Sequence, residues 1–155
     1  MEIGIAMQEN TAVSPNSGMP SMAYTMLHFT EQELACKHCG QSGCTDELKI
    51  ALDQLRELLN QPVIVHDAYR CAQHNAAVSL VAKSQHPEGT AADISVPGLT
   101  LQEMYDAAKR IDAFAVGGIG VYAQNFIHVD VRTDGPARWA FVGNKEEAAS
   151  ALVRE

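Results

Sequence analysis

The sequence predicts an α+β fold in which a small, mostly antiparallel sheet is packed by helices. Helical periodicity dominates the first half of the chain, strand alternation dominates the second, and the connections between them are short. Residues 1–24 are rich in Met, Ser, Asn and Pro without a sustained period, and are expected to form a loosely ordered arm. One domain is expected over 25–145, followed by a C-terminal tail over 146–155 with a short helix. Thr30, with Glu31 and Glu33 behind it, marks a short helix start with acids facing the helix dipole. From Asp46 to Asn60, Leu48, Ala51, Leu52, Leu55, Leu58 and Leu59 recur at three and four, so one face is apolar, and Thr45 can cap it. Pro62–Val65 reads as a β-branched strand, Gln73–Ala82 as a second helix and Ala91–Val96 as another strand. Thr100 and Glu103 form a capping box ahead of the stripe Leu101, Met104, Tyr105, Ala108 and Ile111. Gly117–Tyr122 and Phe126–Arg132 then read as two adjacent strands.

Composition narrows the function. The 155 residues are 46% hydrophobic and 19% charged, enough for one buried core. Lys and Arg number 11 against 19 Asp and Glu, a formal net charge of -8. Such a chain lacks the basic face that grips nucleic acid or an anionic membrane, so neither is expected as a partner. The longest stretch free of Asp, Glu, Lys and Arg, from Asn10 to Thr30, is too polar to span a bilayer. Glu2 and the lack of any Lys or Arg before the first short apolar run do not form a secretory signal, so the chain is expected to be cytoplasmic when made. Reduced thiols are then the default for Cys36, Cys39, Cys44 and Cys71. Cys36, Cys39 and Cys44 fall within nine residues, and either hold a structural metal or are small buried side chains.

Two segments carry candidate chemistry. In Ala91–Val96, Ile94 and Val96 share one strand face, which puts Asp93 and Ser95 on the other. An Asp set among Ala and Ile needs a partner. The turn Pro87-Glu88-Gly89 folds the chain back, so His86 can meet Asp93, either as paired metal ligands or as a simple hydrogen bond. In Phe126–Arg132, Ile127, Val129 and Val131 form an apolar face and His128, Asp130 and Arg132 a polar one. Two His and one Asp supply three ligands and leave a fourth position open, the arrangement of a catalytic zinc. Asp130 stands beside His128 and is placed to serve as general base. Arg70 either forks onto a substrate carboxylate or pairs with an acid such as Asp67. His66 and His74 are spare candidates for the base.

Four stretches occur in order: Tyr69-Arg70-Cys71-x-x-His74-Asn75, Ser84-Gln85-His86-x-x-Gly89-x-Ala91-Ala92-Asp93-Ile94, Gly117-Gly118-Ile119-Gly120-x-Tyr122 and Phe126-Ile127-His128-Val129-Asp130-Val131-Arg132. Together they resemble the zinc D-alanyl-D-alanine carboxypeptidase family, most closely its short phage- and prophage-type members with a hedgehog-like fold. The opening His28-Phe29-Thr30-x-x-Glu33-Leu34-x-Cys36 is similar as well, and the likeness runs from about residue 28 to Trp139. It implies zinc held by His86, Asp93 and His128, with Arg70, Tyr69 and Ser84 on the substrate. The implied substrate is a peptidoglycan stem peptide, cut next to a D-amino acid by a carboxypeptidase or an endolysin-like endopeptidase. The implied setting is a monomer reaching the wall after release or on a phage particle. Two positions depart from the pattern. Asp67-Ala68 replaces a Ser-Gly common in relatives, and Asn125 stands where several branches carry an acid. Both suit an alternative, an inert zinc-containing module of the same fold that recognises cell-wall peptides.

Overall fold

A computed structural model describes residues 24–79 and 84–155. The expected arm over 1–24 lies outside the described residues except for Tyr24, as does the end of the predicted second helix at 80–82. The chain forms α1 (Glu31–Leu34), α2 (Asp46–Leu59), β1 (Ile64–Asp67), α3 (Ala72–Val78), a 3-10 turn (His86–Glu88), β2 (Ala91–Ser95), α4 (Leu101–Lys109) and α5 (Asp112–Ala115). It continues through β3 (Gly118–Tyr122), β4 (Phe126–Asp130), β5 (Ala137–Val142), β6 (Lys145–Glu147) and a final 3-10 turn (Ala149–Ala151).

The helix starts follow the capping chemistry. Thr30 and Glu33 form a reciprocal capping box on α1, and Thr100 and Glu103 do the same on α4. Thr45 accepts the Leu48 N–H on α2, which ends where Asn60 turns left-handed at φ 52°. Leu48, Ala51, Leu52 and Leu55 of α2 and Met104, Tyr105 and Ala108 of α4 are buried. They join Ile94, Ile119, Val121, Ile127 and Val129, the apolar face of the central strands, in one core. Helices thus cover one face of the sheet, and the polar residues of β2 and β4 take the other.

The six strands lie in the order β1-β2-β4-β3-β5-β6. The sheet is mixed, where a mostly antiparallel one was expected: β3 and β5 run parallel, while the other four pairings are antiparallel. The cause is the short link over 131–136. It carries the chain from the end of β4 past the start of β3 to its far side, and Ala137 N–H donates to the Gly117 carbonyl there. The stripe expected to run through Ile111 leaves α4 after Ala108, and Ile111 is the buried N-cap of α5. The C-terminal segment enters the fold: β6 pairs with β5, and Ala149 and Val153 are buried. Among the described residues no helix is long and apolar enough to cross a membrane.

Candidate metal centre

Asp93 of β2 and His128 of β4 are register partners in the middle of the sheet, so both side chains stand on the face away from the helices. His86 reaches them from the 3-10 turn, which closes where Gly89, at φ 76°, returns its N–H to the His86 carbonyl. A side chain at Gly89 would strike the Gly43 carbonyl, so the turn and its approach both require glycine. The three side chains are almost wholly buried.

Their donor atoms fit a metal ion. His86 Nε2 and His128 Nδ1 each lie 3.3 Å from Asp93 Oδ1, and that buried oxygen has no hydrogen-bond partner. Ligand atoms about 2.0–2.1 Å from a tetrahedral zinc sit about 3.3–3.4 Å apart, the same spacing. The outer ring nitrogens fix the tautomers. His86 Nδ1–H donates to the Ala68 carbonyl at 2.6 Å, and His128 Nε2–H donates to Asp130 Oδ2 at 2.7 Å. Those acceptors carry no proton, so the inner nitrogens keep their lone pairs for the site. Burial works against charge on Asp93, but His128 and His86 outweigh it and hold its pKa well below the usual carboxylate range.

Arg70 serves this arrangement from behind. Its Nε donates to Asp67 at 2.6 Å, its Nη1 to Asn75 at 2.8 Å and its Nη2 to Asp93 Oδ2 at 3.3 Å. The pairing with Asp67 is therefore realised, and three of the five guanidinium N–H groups are already engaged. Asp130, expected as the base, takes a different place. Its carboxylate is fully buried on the outer side of His128 and also accepts from Arg132 Nε at 2.9 Å and Nη2 at 2.7 Å. Strand alternation correctly puts it beside His128, but the ring it orients stands between it and the other two ligands. Burial would raise its pKa; His128 and Arg132 instead hold it well below the carboxylate range.

A cleft of about 460 Å³ opens over the three ligands. Ser84 and Arg70 line it, whereas the Tyr69 ring packs on Gly43, 2.6 Å from where a Cβ would stand, and is not part of the wall. His66 bonds Ser95 on the surface, and His74 stacks on His38. Sequence reasoning missed Arg138, Trp139 and Glu146, which line the cleft from β5 and β6, and gave Tyr122 no role. The apolar run Trp139-Ala140-Phe141-Val142 is the available signal for β5. Trp139 lies 5.0 Å from the His128 ring and under Arg132, in space that a side chain at Gly120 would fill. The half-buried Tyr122 phenol, partly desolvated and near Asp93, is pushed up to about 12. Asn125, the second departure, adopts φ 74° in the β3–β4 turn, a backbone requirement that suits Asn.

The cysteines assemble differently from expectation. Cys36 and Cys39 meet Cys71, remote in sequence, rather than Cys44. Cys44 packs its sulfur 3.7 Å from the Leu34 carbonyl, and burial pushes its thiol up to about 11.

The fold and the buried His-Asp-His constellation define a small α+β domain with a candidate metal site. The sequence matches the Peptidase M15 family over residues 27–130, and the chain belongs to that family. No curated protein matches the sequence.

Proposed function

We propose that the chain is a zinc-dependent peptidase that hydrolyses bonds next to D-amino acids in peptidoglycan stem peptides. The observation that carries this reading is the convergence of His86, Asp93 and His128 on one buried point under a cleft, each ligand held from behind by a protein group. Zinc bound there would supply the Lewis acid that polarises the scissile carbonyl. The chain's own groups divide the remaining work. Among the described cleft residues the carboxylates are Asp93 and Glu146, so with Asp130 behind His128 the proton of the attacking water goes to Glu146. Tyr122, protonated across the working range, donates to the carbonyl oxygen as negative charge grows there. Arg70 positions Asp93 and has two N–H groups left for a substrate carboxylate. Ser84 borders the same wall. The protein acts as a monomer, on walls reached after release or from a phage particle.

The test is cleavage of a defined muropeptide by the purified full chain, followed by mass spectrometry with and without chelator. Release of D-alanine or a stem fragment, lost on chelation and in His86→Ala, is the expected result. Glu146→Gln should keep the metal and lose the rate. A second reading, an inert wall-peptide module, is favoured by the exposure of Glu146. It requires tight zinc and muropeptide binding without turnover.

A further inference from the structure

A second constellation lies outside the cleft, at the Cys/Gly loop that follows α1. Cys36 N–H donates to the Gln41 carbonyl at 2.9 Å and Gly40 N–H to the Cys36 carbonyl at 2.8 Å. These two bonds close a tight loop through Cys36-Lys37-His38-Cys39-Gly40, made possible by Gly40 at φ 77°. The Cys36, Cys39 and Cys71 sulfurs all lie within 4.8 Å of one another, and all are free thiols. The Cys36 sulfur, in a residue only 2% exposed, accepts the Cys71 backbone N–H at 3.3 Å. His38 Nδ1 comes within 3.5 Å of Cys71 Sγ.

We infer that Cys36, Cys39, Cys71 and His38 form a second, structural zinc site, distinct from the His86–Asp93–His128 centre. Three sulfurs and one imidazole make the Cys₃His donor set of closed structural sites, in which Zn–S bonds of about 2.3 Å place sulfurs about 3.8 Å apart. A disulfide would use two of the three thiols and leave the third unpaired beside it, whereas one ion engages all of them. The Cys-x-x-Cys-Gly loop supplies two ligands at the spacing such sites use, and the backbone N–H on Cys36 favours its thiolate. The site also has a mechanical consequence. Cys71 directly follows Arg70, whose own N–H donates to the His86 carbonyl at 3.3 Å. An ion at the cysteines would tie the loop after α1 to the backbone that carries the Arg70 clamp on Asp93.

The test counts metal in the full chain, purified reduced, loaded with zinc and freed of excess. Wild type should retain two ions, and the folded double variant His86→Ala/His128→Ala one. Adding Cys39→Ser, an exposed position that need not disturb folding, should remove that last ion, and His38→Ala should release it to a chelator that leaves wild type loaded. Cobalt in the double variant should give thiolate-to-cobalt charge transfer in the near ultraviolet. An unloaded but folded and reduced double variant overturns the inference. So does an ion held equally well after Cys39→Ser, or a cobalt spectrum without sulfur bands. The readouts in the double variant depend neither on turnover nor on the first centre.

Discussion

Replacing Asp130 with Asn separates orientation from catalysis. The carboxylate accepts four hydrogen bonds: His128 Nε2–H and Arg132 Nη2 on one oxygen, and the Arg132 backbone N–H and Nε on the other. An amide has one acceptor oxygen, so its NH₂ must face either the imidazole donor or the Arg132 donors. If it faces His128, the ring keeps its bond only by shifting the proton to Nδ1, the atom aimed at Asp93 and needed by the metal. Loss of such a partner behind a ligand typically weakens metal binding about 10–100-fold, or about 1.4–2.7 kcal/mol. Breaking a buried charge pair costs about 3–5 kcal/mol. Arg132 is 18% exposed and recovers part of that from water, so a stability loss of about 2 kcal/mol and a Tm lower by about 4–8 °C are expected. The assay is zinc competition against a chromophoric chelator plus thermal melts, in a Cys39→Ser background so that the His centre alone reports. Wild-type zinc affinity and Tm combined with lost turnover would refute this reasoning and return the role of base to Asp130.

Four further outcomes are expected. Asp53 is buried and accepts from the Tyr24 hydroxyl at 2.7 Å, Leu27 N–H at 2.7 Å and His28 N–H at 3.0 Å; Asp53→Ala orphans two backbone donors and should cost about 1–3 kcal/mol in urea unfolding, with faster amide exchange at Leu27 and His28. Tyr122→Phe should lower kcat about 100-fold with little change in KM. Because burial lifts the phenol to about 12, it stays protonated past the ordinary tyrosine value of about 10, so the wild-type rate should show no fall at that pH. In chelated native protein iodoacetamide should reach exposed Cys39 first and Cys44 last, because a thiol with a pKa of about 11 carries little thiolate; peptide mass spectrometry gives the order.

Periodicity makes side-chain faces legible but not distances between segments. The alternation in Phe126–Arg132 and the lone Asp93 among apolar neighbours were enough to mark one polar sheet face, and the register of β2 against β4 joins them there. The same alternation put Asp130 on that face but could not tell which ring nitrogen it meets. That depends on the χ angles of His128 and on Gly118, whose missing side chain leaves the space that the Asp130 carboxylate occupies. Cys71 stands outside the cysteine cluster of the sequence because sequence distance hides proximity: β1 returns the chain to the loop after α1, where Tyr69 N–H bonds the Leu34 carbonyl. Lys145-Glu146-Glu147 has no apolar alternation to mark it. It is an edge strand held by its pairing with β5, so Glu146 became visible only with the fold.

The charge inventory around the site suits a cation. Asp67, Asp93 and Asp130 meet two guanidinium groups, those of Arg70 and Arg132, and none of these side chains is more than 18% exposed. With neutral imidazoles, one negative charge is in excess, and an unbalanced buried charge is costly. A proton can cancel it: burial disfavours charge on His128, but Asp130 and Asp93 outweigh that and raise its pKa. A divalent ion also removes it and leaves a single positive charge, centred at the Asp93 oxygen that no hydrogen bond satisfies. Proton and metal therefore compete for one electrostatic deficit. Arg70 and Arg132 set its size, because each neutralises a carboxylate and holds it in place without approaching the point where the two inner imidazole nitrogens converge.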